Sequence, residues 1–259
     1  VEDVRCCETV GWLYGKRRLQ SANALPLTQN ASVESFSDGG VTIVRFDEGH
    51  GVLAFDHGPL GFGRLAAHGH ADALSVQLYV DGEPVLIDPG TFIYNGDRRM
   101  RDKFRSTCVH NTMCVGGRDQ SEVLGPFLWG RKANVSGFAL EECEGCITMS
   151  AEHDGYSPVC TRRTVEVRGA NVVITDEVDD KQDAMASWHL PFAGAKAGDG
   201  PTDFHLHSGA SVHIEAGASL KSASFDYSPA YGILAQGTEV RASFESGLVT
   251  TITILRGVQ

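Results

Sequence analysis

Side chains that can bind a metal ion or move a proton are concentrated in one part of the sequence. His68 and His70 are two residues apart, and Asp88 and His110 follow them along the chain. Neutral imidazole and carboxylate are ligands that zinc accepts, and three protein ligands with one open position are typical of a solvent-accessible zinc site. The spacing is also compatible with histidines that only make hydrogen bonds within the fold. On spacing alone, both interpretations of His70, Asp88 and His110 stay open.

The spacing of His68 and His70 suits an extended chain. Side chains two residues apart lie on the same face of a strand, whereas a helix would separate them. We therefore expect the two imidazoles to face one cleft. Asp72 continues the same alternation and is expected to join this row.

A cationic stretch follows Asp88. Tyr94 begins it, and Arg98, Arg101 and Arg105 come next. Guanidinium groups bind carboxylates and sulfates through two parallel hydrogen bonds. The stretch predicts either a patch that holds an anionic polymer close to the histidines or an ordinary solvated charged loop.

The composition of the whole chain limits the classes of partner. The 259 residues include 33 Asp and Glu against 22 Lys and Arg, which gives a net charge of −11. Nucleic acids and membrane surfaces favour a broadly positive face, and no segment approaches the about 18 consecutive apolar residues of a transmembrane helix. We therefore expect neither nucleic acid nor membrane as a partner.

The elements that must position these residues are short β-strands. Runs rich in Val, Ile, Thr and Phe alternate with Gly, Asp and Asn turns, which is typical of successive antiparallel strands. Asp81-Gly82 predicts a tight hairpin turn, and Cys143-Glu-Gly-Cys146 predicts a structural hairpin. The strand-length runs are Val41–Phe46, Gly51–Phe55, Leu74–Val80, Val85–Ile87, Thr112–Val115, Thr164–Arg168, Asn171–Thr175, Ser211–Ile214 and Leu248–Leu255.

These runs predict an all-β fold, a large antiparallel two-sheet β-sandwich. We assign the sandwich to residues 24–259. Residues 1–23 are predicted to be a short helical or irregular segment, the remnant of a helix or a linker.

A series of motifs occurs in a fixed order across the middle of the chain. The motifs are His68-Gly-His-Ala-Asp-Ala-Leu-Ser75, Leu86-Ile-Asp-Pro-Gly-Thr91 with Tyr94, Phe104-Arg-Ser-Thr107, His110-Asn-Thr112, Gly117-Arg-Asp-Gln-Ser-Glu122, Gly125-Pro-Phe127 with Trp129, His153-Asp-Gly-Tyr156 and Arg162-Arg163. In order and composition they resemble the heparinase II/III-like family of polysaccharide lyases, which includes alginate and oligouronide lyases.

The resemblance implies an enzyme of two parts, an N-terminal α/α toroid and a β-sandwich, with the catalytic cleft between them. It implies a zinc ion held by His70, Asp88 and His110, with His68 lining the cleft and Tyr94 as a candidate cleft tyrosine. The residues before the motifs are too few to encode the toroid, which supplies an essential tyrosine in the family. We therefore expect a piece of a longer lyase that is inactive by itself.

The activity implied by the resemblance is β-elimination in an acidic polysaccharide or oligouronide that contains uronic acid. Such a reaction needs a group that removes the C5 proton, a donor to the leaving oxygen and positive charge near the carboxylate. His68 suits the base or carboxylate-binding role, Tyr94 the donor, and the three arginines would steer the acidic chain. Zinc would hold the cleft wall, since elimination requires no activated water.

Two other classes of protein compete with this interpretation. A non-catalytic β-sandwich that binds acidic polysaccharide would use the same cations and aromatic residues without forming a product. A cupin-like metal enzyme is disfavoured, because residues 71–75 lack the Glu expected soon after the paired histidines.

Overall fold

The computed structural model describes residues 31–192 and 202–256 of the chain. Its elements are almost all antiparallel strands, which confirms the predicted all-β class. The helix or linker predicted for residues 1–23 lies outside the described residues.

Strands follow one another along almost the whole of the described ranges. In chain order the elements are β1 (Ser32–Phe36), β2 (Val41–Phe46), β3 (Gly51–Asp56), β4 (Val76–Val80), β5 (Glu83–Leu86), the helix α1 (Arg98–Phe104), β6 (Met113–Val115), β7 (Val123–Gly125), β8 (Leu128–Trp129), β9 (Val135–Cys143), β10 (Cys146–His153), β11 (Thr161–Arg168), β12 (Asn171–Val178), β13 (Ala184–Leu190), β14 (Thr202–His205), β15 (Ser211–Ala216), β16 (Leu220–Ala230), β17 (Ile233–Phe244) and β18 (Gly247–Leu255). Short 3-10 turns lie at Asp47–Gly49 and Thr107–Val109.

The strands form two layers. One layer is a seven-stranded sheet in the order β14-β15-β18-β12-β11-β10-β9. The other combines a five-stranded sheet, β1 to β5 in sequential order, with a four-stranded sheet, β16-β17-β13-β6. A hydrogen bond from the Ile87 amide to the His189 carbonyl, 2.9 Å long, connects these two sheets edge to edge. The small β7-β8 ribbon lies outside both layers.

One apolar core fills the space between the layers. Buried and more exposed positions alternate along β11, β12 and β18, as the period of two in a half-buried strand requires. The core takes residues from both layers, among them Phe46, Leu78, Trp188 and Ile252. The predicted sandwich is therefore confirmed.

Local turn chemistry follows the sequence closely. Asp81 and Gly82 both have positive φ, 52° and 77°, as a tight hairpin turn demands, and they join β4 to β5. Cys143 and Cys146 lie opposite each other across the hairpin between β9 and β10, with Gly145 at φ 73°. Both predicted hairpins are confirmed.

The cationic stretch folds into the helix α1, which the pattern of strands in the sequence does not anticipate. The Asp97 carboxylate accepts hydrogen bonds from the amides of Arg99 and Met100, at 2.9 and 3.2 Å. A carboxylate at this position satisfies amides that have no partner within the first helical turn. Asp97 is therefore the signal in the sequence for the start of this helix.

A buried ion pair connects the seven-stranded sheet to the loops of the opposite layer. The Arg163 guanidinium donates two hydrogen bonds to the Asp176 carboxylate, at 2.7 and 2.9 Å, and both side chains are fully buried. Its remaining nitrogen donates to the carbonyls of Leu74 and Asn111, at 2.8 and 2.6 Å. Arg163 thus fixes the backbone of two segments that lie next to His70, Asp72 and His110 in the sequence.

The buried side chain of His153 predicts a specific loss of stability in acid. Its Nδ1 accepts a hydrogen bond from the Gly155 amide at 3.1 Å, and its Nε2 lies 3.0 Å from Thr161 Oγ1. Burial, together with nearby Arg163 and Arg131, lowers the pKa of His153 to about 4. Between the ordinary pKa of about 6.5 and this value, only the unfolded chain takes up the proton, so stability falls as the pH falls through that window.

We expect His153→Asn to remove this part of the acid sensitivity. The free energy of unfolding of the native protein should drop between pH 7 and pH 4.5 by about 2 to 3 kcal/mol more than that of the variant. Urea unfolding of both proteins at the two pH values measures the difference. Equal losses in the two proteins would show that His153 does not stay neutral in the fold.

Candidate metal centre and cleft

Four potential metal ligands come together where loops leave the edge of the five-stranded sheet. His70 and Asp72 lie in the connection between β3 and β4, Asp88 follows β5, and His110 follows the 3-10 turn at Thr107–Val109. One ligand atom from each of the four residues lies within 4.8 Å of all the others. The fold therefore gathers residues that are distant in sequence into one cluster.

The distances within the cluster suit an ion with tetrahedral coordination. His70 Nδ1 is 3.1 Å from His110 Nε2, and His110 Nε2 is 3.5 Å from Asp88 Oδ2. Ligands that surround zinc tetrahedrally at about 2.0 to 2.1 Å are separated from one another by about 3.3 Å. Two imidazoles and two carboxylates in this arrangement form a donor set that zinc accepts.

Hydrogen bonds outside the cluster orient its ligand atoms. His110 Nδ1 lies 2.7 Å from the Ser106 carbonyl, which can only accept, so Nδ1 carries the proton and Nε2 keeps its lone pair for the cluster. Asp88 Oδ1 accepts a hydrogen bond from the Gly90 amide at 2.8 Å, which leaves Oδ2 directed to His110. These outer contacts are the kind that support metal ligands in known sites.

The electrostatics of the cluster favour neutral imidazoles beside crowded carboxylates. Burial, with His110 close by, lowers the pKa of His70 to about 3, and burial also lowers the pKa of His110. Burial and the neighbouring Asp56 and Asp88 raise the pKa of Asp72 well above its usual range. Burial raises the pKa of Asp56 to about 6. A divalent cation would offset this concentration of acidic groups, so the residues present fit a zinc ion.

A small cavity lies beside the cluster. His70 and Asp72 line it together with Asp56 and Gln120, and its volume is about 10 Å³. A space of about 10 to 15 Å³ by this measure holds one water molecule. The cavity is therefore too small to admit a sugar residue.

Asn111 is a positioning residue that the sequence analysis does not identify. Its Nδ2 donates to the carbonyls of Val76 and Ile87, at 2.8 and 2.9 Å, and its Oδ1 accepts from the His189 amide at 2.7 Å. These contacts attach the residue next to His110 to β4, to the end of β5 and to β13. The motif His110-Asn-Thr112 contains the signal, because a fully bonded buried amide specifies one backbone position.

His68 lies in a different environment from His70. Residues 57–75 form turns instead of a strand, with positive φ at Ala66 and Leu74, so the expected alternation does not apply. The His68 side chain is exposed, and its ring packs edge-on against Tyr94 with 5.0 Å between centroids. The expectation of an extended chain at His68 is wrong, because the Gly69 amide donates to the Ala66 carbonyl at 2.9 Å and closes a turn there, although His70 and Asp72 do share one cluster.

Aromatic residues surround His68 where the family resemblance implies a cleft. The ring of Phe127 lies 5.8 Å from His68 and 6.0 Å from Tyr94, and Arg101 lies 5.0 Å from the Tyr94 ring. His68 and Tyr94, both cleft candidates from the family resemblance, are thus neighbours. We refer to His68, Tyr94 and Phe127 as the cleft wall.

The three predicted substrate-binding arginines occupy different environments. Arg98 is exposed and pairs with Asp102 at 3.3 Å. Arg101 and Arg105 are fully buried, and both donate to the Pro126 carbonyl, at 3.3 and 3.1 Å. Direct contact of a substrate with Arg101 or Arg105, expected from the sequence, is not available in this arrangement, because the two guanidinium groups pack beneath the β7-β8 ribbon.

In the ranges 31–192 and 202–256, no helix has the length and apolar character needed to span a bilayer.

Comparison with known proteins identifies the family of this chain. Residues 28–251 match the family model described as heparinase II/III-like, C-terminal. No curated protein sequence matches the chain. Similar solved structures include heparinase III, the BT4657 gene product, with a TM-score of 0.72 and 20% identity over 86% of this chain and 36% of that one. The heparan sulfate lyase HepC from Pedobacter heparinus has a TM-score of 0.69 and 13% identity over 88% of this chain and 37% of that one. Another heparinase III has a TM-score of 0.70 and 17% identity over 89% of this chain and 38% of that one.

These structural likenesses show a shared fold, and the chain spans little more than a third of the length of the solved proteins. The family match extends over most of the 259 residues. The chain therefore belongs to the heparinase II/III-like C-terminal domain family.

Proposed function

We propose that this chain is the β-sandwich part of a lyase that cleaves a uronic-acid-containing polysaccharide by β-elimination. The observation that carries the proposal is the contact of the exposed His68 with Tyr94, two residues along the chain from His70 of the cluster. A proton-accepting group and a proton-donating group side by side are what elimination requires. The family relation supports the same reaction class.

In this proposal the exposed His68 and the half-buried Tyr94 divide the proton transfers. His68 removes the C5 proton or binds the uronate carboxylate, and the Tyr94 hydroxyl donates to the leaving oxygen. Their edge-on packing at 5.0 Å fixes the two side chains relative to each other. Arg101 lies 5.0 Å from the Tyr94 ring and holds that ring by a cation–π contact.

The cationic residues contribute differently from one another. Arg98, at the exposed start of α1, is the one of the three predicted arginines placed to meet an acidic polymer. Arg105 lies 4.8 Å from the Trp129 ring and donates to Gly125 and Pro126, so it supports the ribbon that carries Phe127. We propose that Arg101 and Arg105 position the cleft wall and that Arg98 attracts the substrate.

Zinc, held by His70, Asp88 and His110 with Asp72 as a further candidate ligand, would supply fixed positive charge that stabilises the loops beneath the cleft. The chain's own residues do the rest: Ser106 and Gly90 orient the ligands, and His68 and Tyr94 face the substrate. Because the solved heparinases are much longer, we propose that an N-terminal α/α toroid completes the cleft in the full protein.

The test is an elimination assay on the full-length product of the gene. Heparan sulfate, chondroitin and alginate are incubated with the protein, and the ultraviolet absorbance of the unsaturated uronate product is followed. We expect product from at least one of these polymers. Binding of a polymer without any unsaturated product would contradict the lyase proposal and favour a non-catalytic polysaccharide-binding domain.

A further inference from the structure

The hairpin between β16 and β17 carries an aromatic residue to the cleft wall from the distant end of the chain. Tyr231 lies at the hairpin tip, between Ala230 and Gly232, and its side chain is 64% exposed. Its ring lies 5.7 Å from the ring of Tyr94, with an angle of 25° between the two planes. Tyr231 therefore extends the cleft wall by one ring.

Three aromatic rings form a continuous row in this region. Tyr94 contacts Phe127 at 6.0 Å and 27° on one hand and Tyr231 at 5.7 Å and 25° on the other. Separations and angles of this size describe offset, roughly parallel rings. The two outer rings, Phe127 and Tyr231, are 37% and 64% exposed, so the row is a surface and not part of the core.

The hairpin tip is held firmly against the loop that follows β5. The Gly232 amide donates to the Phe92 carbonyl at 2.8 Å, and the Ser228 amide donates to the Pro89 carbonyl at 2.7 Å. Gly90 has no room for a side chain, because a Cβ atom would lie 2.3 Å from the Ser228 carbonyl oxygen. These contacts place Tyr231 in a fixed position relative to Tyr94.

The hairpin is also attached to α1. Lys103 Nζ lies 2.7 Å from Asp226 Oδ2. The helix contributes Arg101 beneath Tyr94, so the same helix supports two members of the aromatic row. A platform that is rigid before the ligand arrives loses little conformational entropy on binding.

We propose that Tyr231 is a sugar-binding platform, on which a pyranose ring of the bound acidic polysaccharide stacks next to the residue that is cleaved. The C–H bonds on one face of a pyranose carry partial positive charge, and the face of an aromatic ring carries negative charge. Large, rigid aromatic side chains with few rotatable bonds are efficient contact surfaces for this reason. This inference rests on the proposed function, because it takes the cleft beside His68 and Tyr94 as the site that receives the polymer.

The experiment compares Tyr231→Ala with Tyr231→Phe in the full-length protein. Binding of uronate-containing tetrasaccharides from heparan sulfate and from alginate is measured by isothermal titration calorimetry. We expect Tyr231→Ala to raise the dissociation constant about threefold to tenfold, the range expected for one aromatic contact. Tyr231→Phe keeps the ring and should stay within about twofold of the native protein.

Ile233→Ala is the matched control, since Ile233 is 54% exposed on the same hairpin but has no ring to stack. It should bind like the native protein, and all variants should keep the native melting temperature. Native affinity in Tyr231→Ala would overturn the platform, and so would the absence of tetrasaccharide binding by the native protein. The proposed lyase activity is tested separately, by the formation of unsaturated product. If Tyr231→Ala binds more weakly but the native protein forms no product, the sugar-binding role of Tyr231 is supported and the lyase activity is contradicted.

Discussion

His110→Ala will purify without zinc, whereas the native protein will contain one zinc ion per chain. His110 Nε2 is close to both other predicted ligands, at 3.1 Å from His70 Nδ1 and 3.5 Å from Asp88 Oδ2. Removal of the central imidazole therefore separates the remaining donors. Elemental analysis of the two proteins, dialysed side by side, measures the difference.

The same substitution will lower stability. An ion that binds only the folded chain stabilises it by about 4 kcal/mol when its concentration is a thousand times the dissociation constant. Without the ion this contribution is lost, and Asp72 remains buried next to Asp56 and Asp88, which keeps its pKa well above the usual range. We expect the free energy of unfolding to fall by about 3 to 5 kcal/mol, as measured by chemical denaturation.

A chelator separates the loss of metal from the loss of the buried imidazole. Treatment of the native protein with a strong chelator should reproduce most of the destabilisation, and the same treatment should leave His110→Ala unchanged. His68→Ala is the matched control, because His68 lies two residues from His70 but contacts Tyr94 and Phe127 instead of the cluster. Native zinc content in His110→Ala would rule out the proposed ligand set.

His68→Ala in the full-length protein will lower kcat on the preferred polysaccharide by about 100-fold to 10,000-fold, the usual contribution of a positioned acid or base. This corresponds to about 3 to 5 kcal/mol of transition-state stabilisation. The side chain is exposed, so its removal should leave the zinc content and the melting temperature unchanged. The rate is measured from the initial absorbance of unsaturated product under saturating substrate.

Tyr94→Phe provides the comparison for His68→Ala. It removes only the hydroxyl and keeps the ring contacts with Phe127 and Tyr231, so it should reduce kcat with little change in substrate affinity. Native rates in His68→Ala would remove His68 from the mechanism. A large loss of zinc in the same variant would instead show that His68 acts through the metal cluster.

The predicted zinc ligands could be named from the sequence, whereas the roles of the residues that support them could not. The family resemblance names His70, Asp88 and His110 as a set, and the fold brings them within ligand distance of one another. Asp72 also joins them, although through the turns of residues 57–75 and not through the strand alternation expected from the sequence. Asn111 lies in the motif His110-Asn-Thr112, but its role in positioning His110, like that of the Ser106 carbonyl, follows only from contacts in the fold.

The sequence by itself determined nine of the strands, the tight turns and the family. Alternation along β11, β12 and β18 and the turn at Asp81-Gly82 depend on side chains and dihedral angles of adjacent residues, which the sequence states directly. The ordered motifs identified the family in the same way, since each motif consists of neighbouring residues that can be read directly from the sequence.

Only the tertiary structure decided which of the predicted polar groups are exposed. Arg98, Arg101 and Arg105 look alike in sequence, but packing of the β7-β8 ribbon over α1 buries two of them and leaves the first exposed. In the same way, Tyr231 reaches Tyr94 only because the β16-β17 hairpin crosses to the loop after β5. The exposure of a side chain and the identity of its neighbours depend on contacts between segments that are far apart in the chain. Local sequence patterns do not encode those contacts.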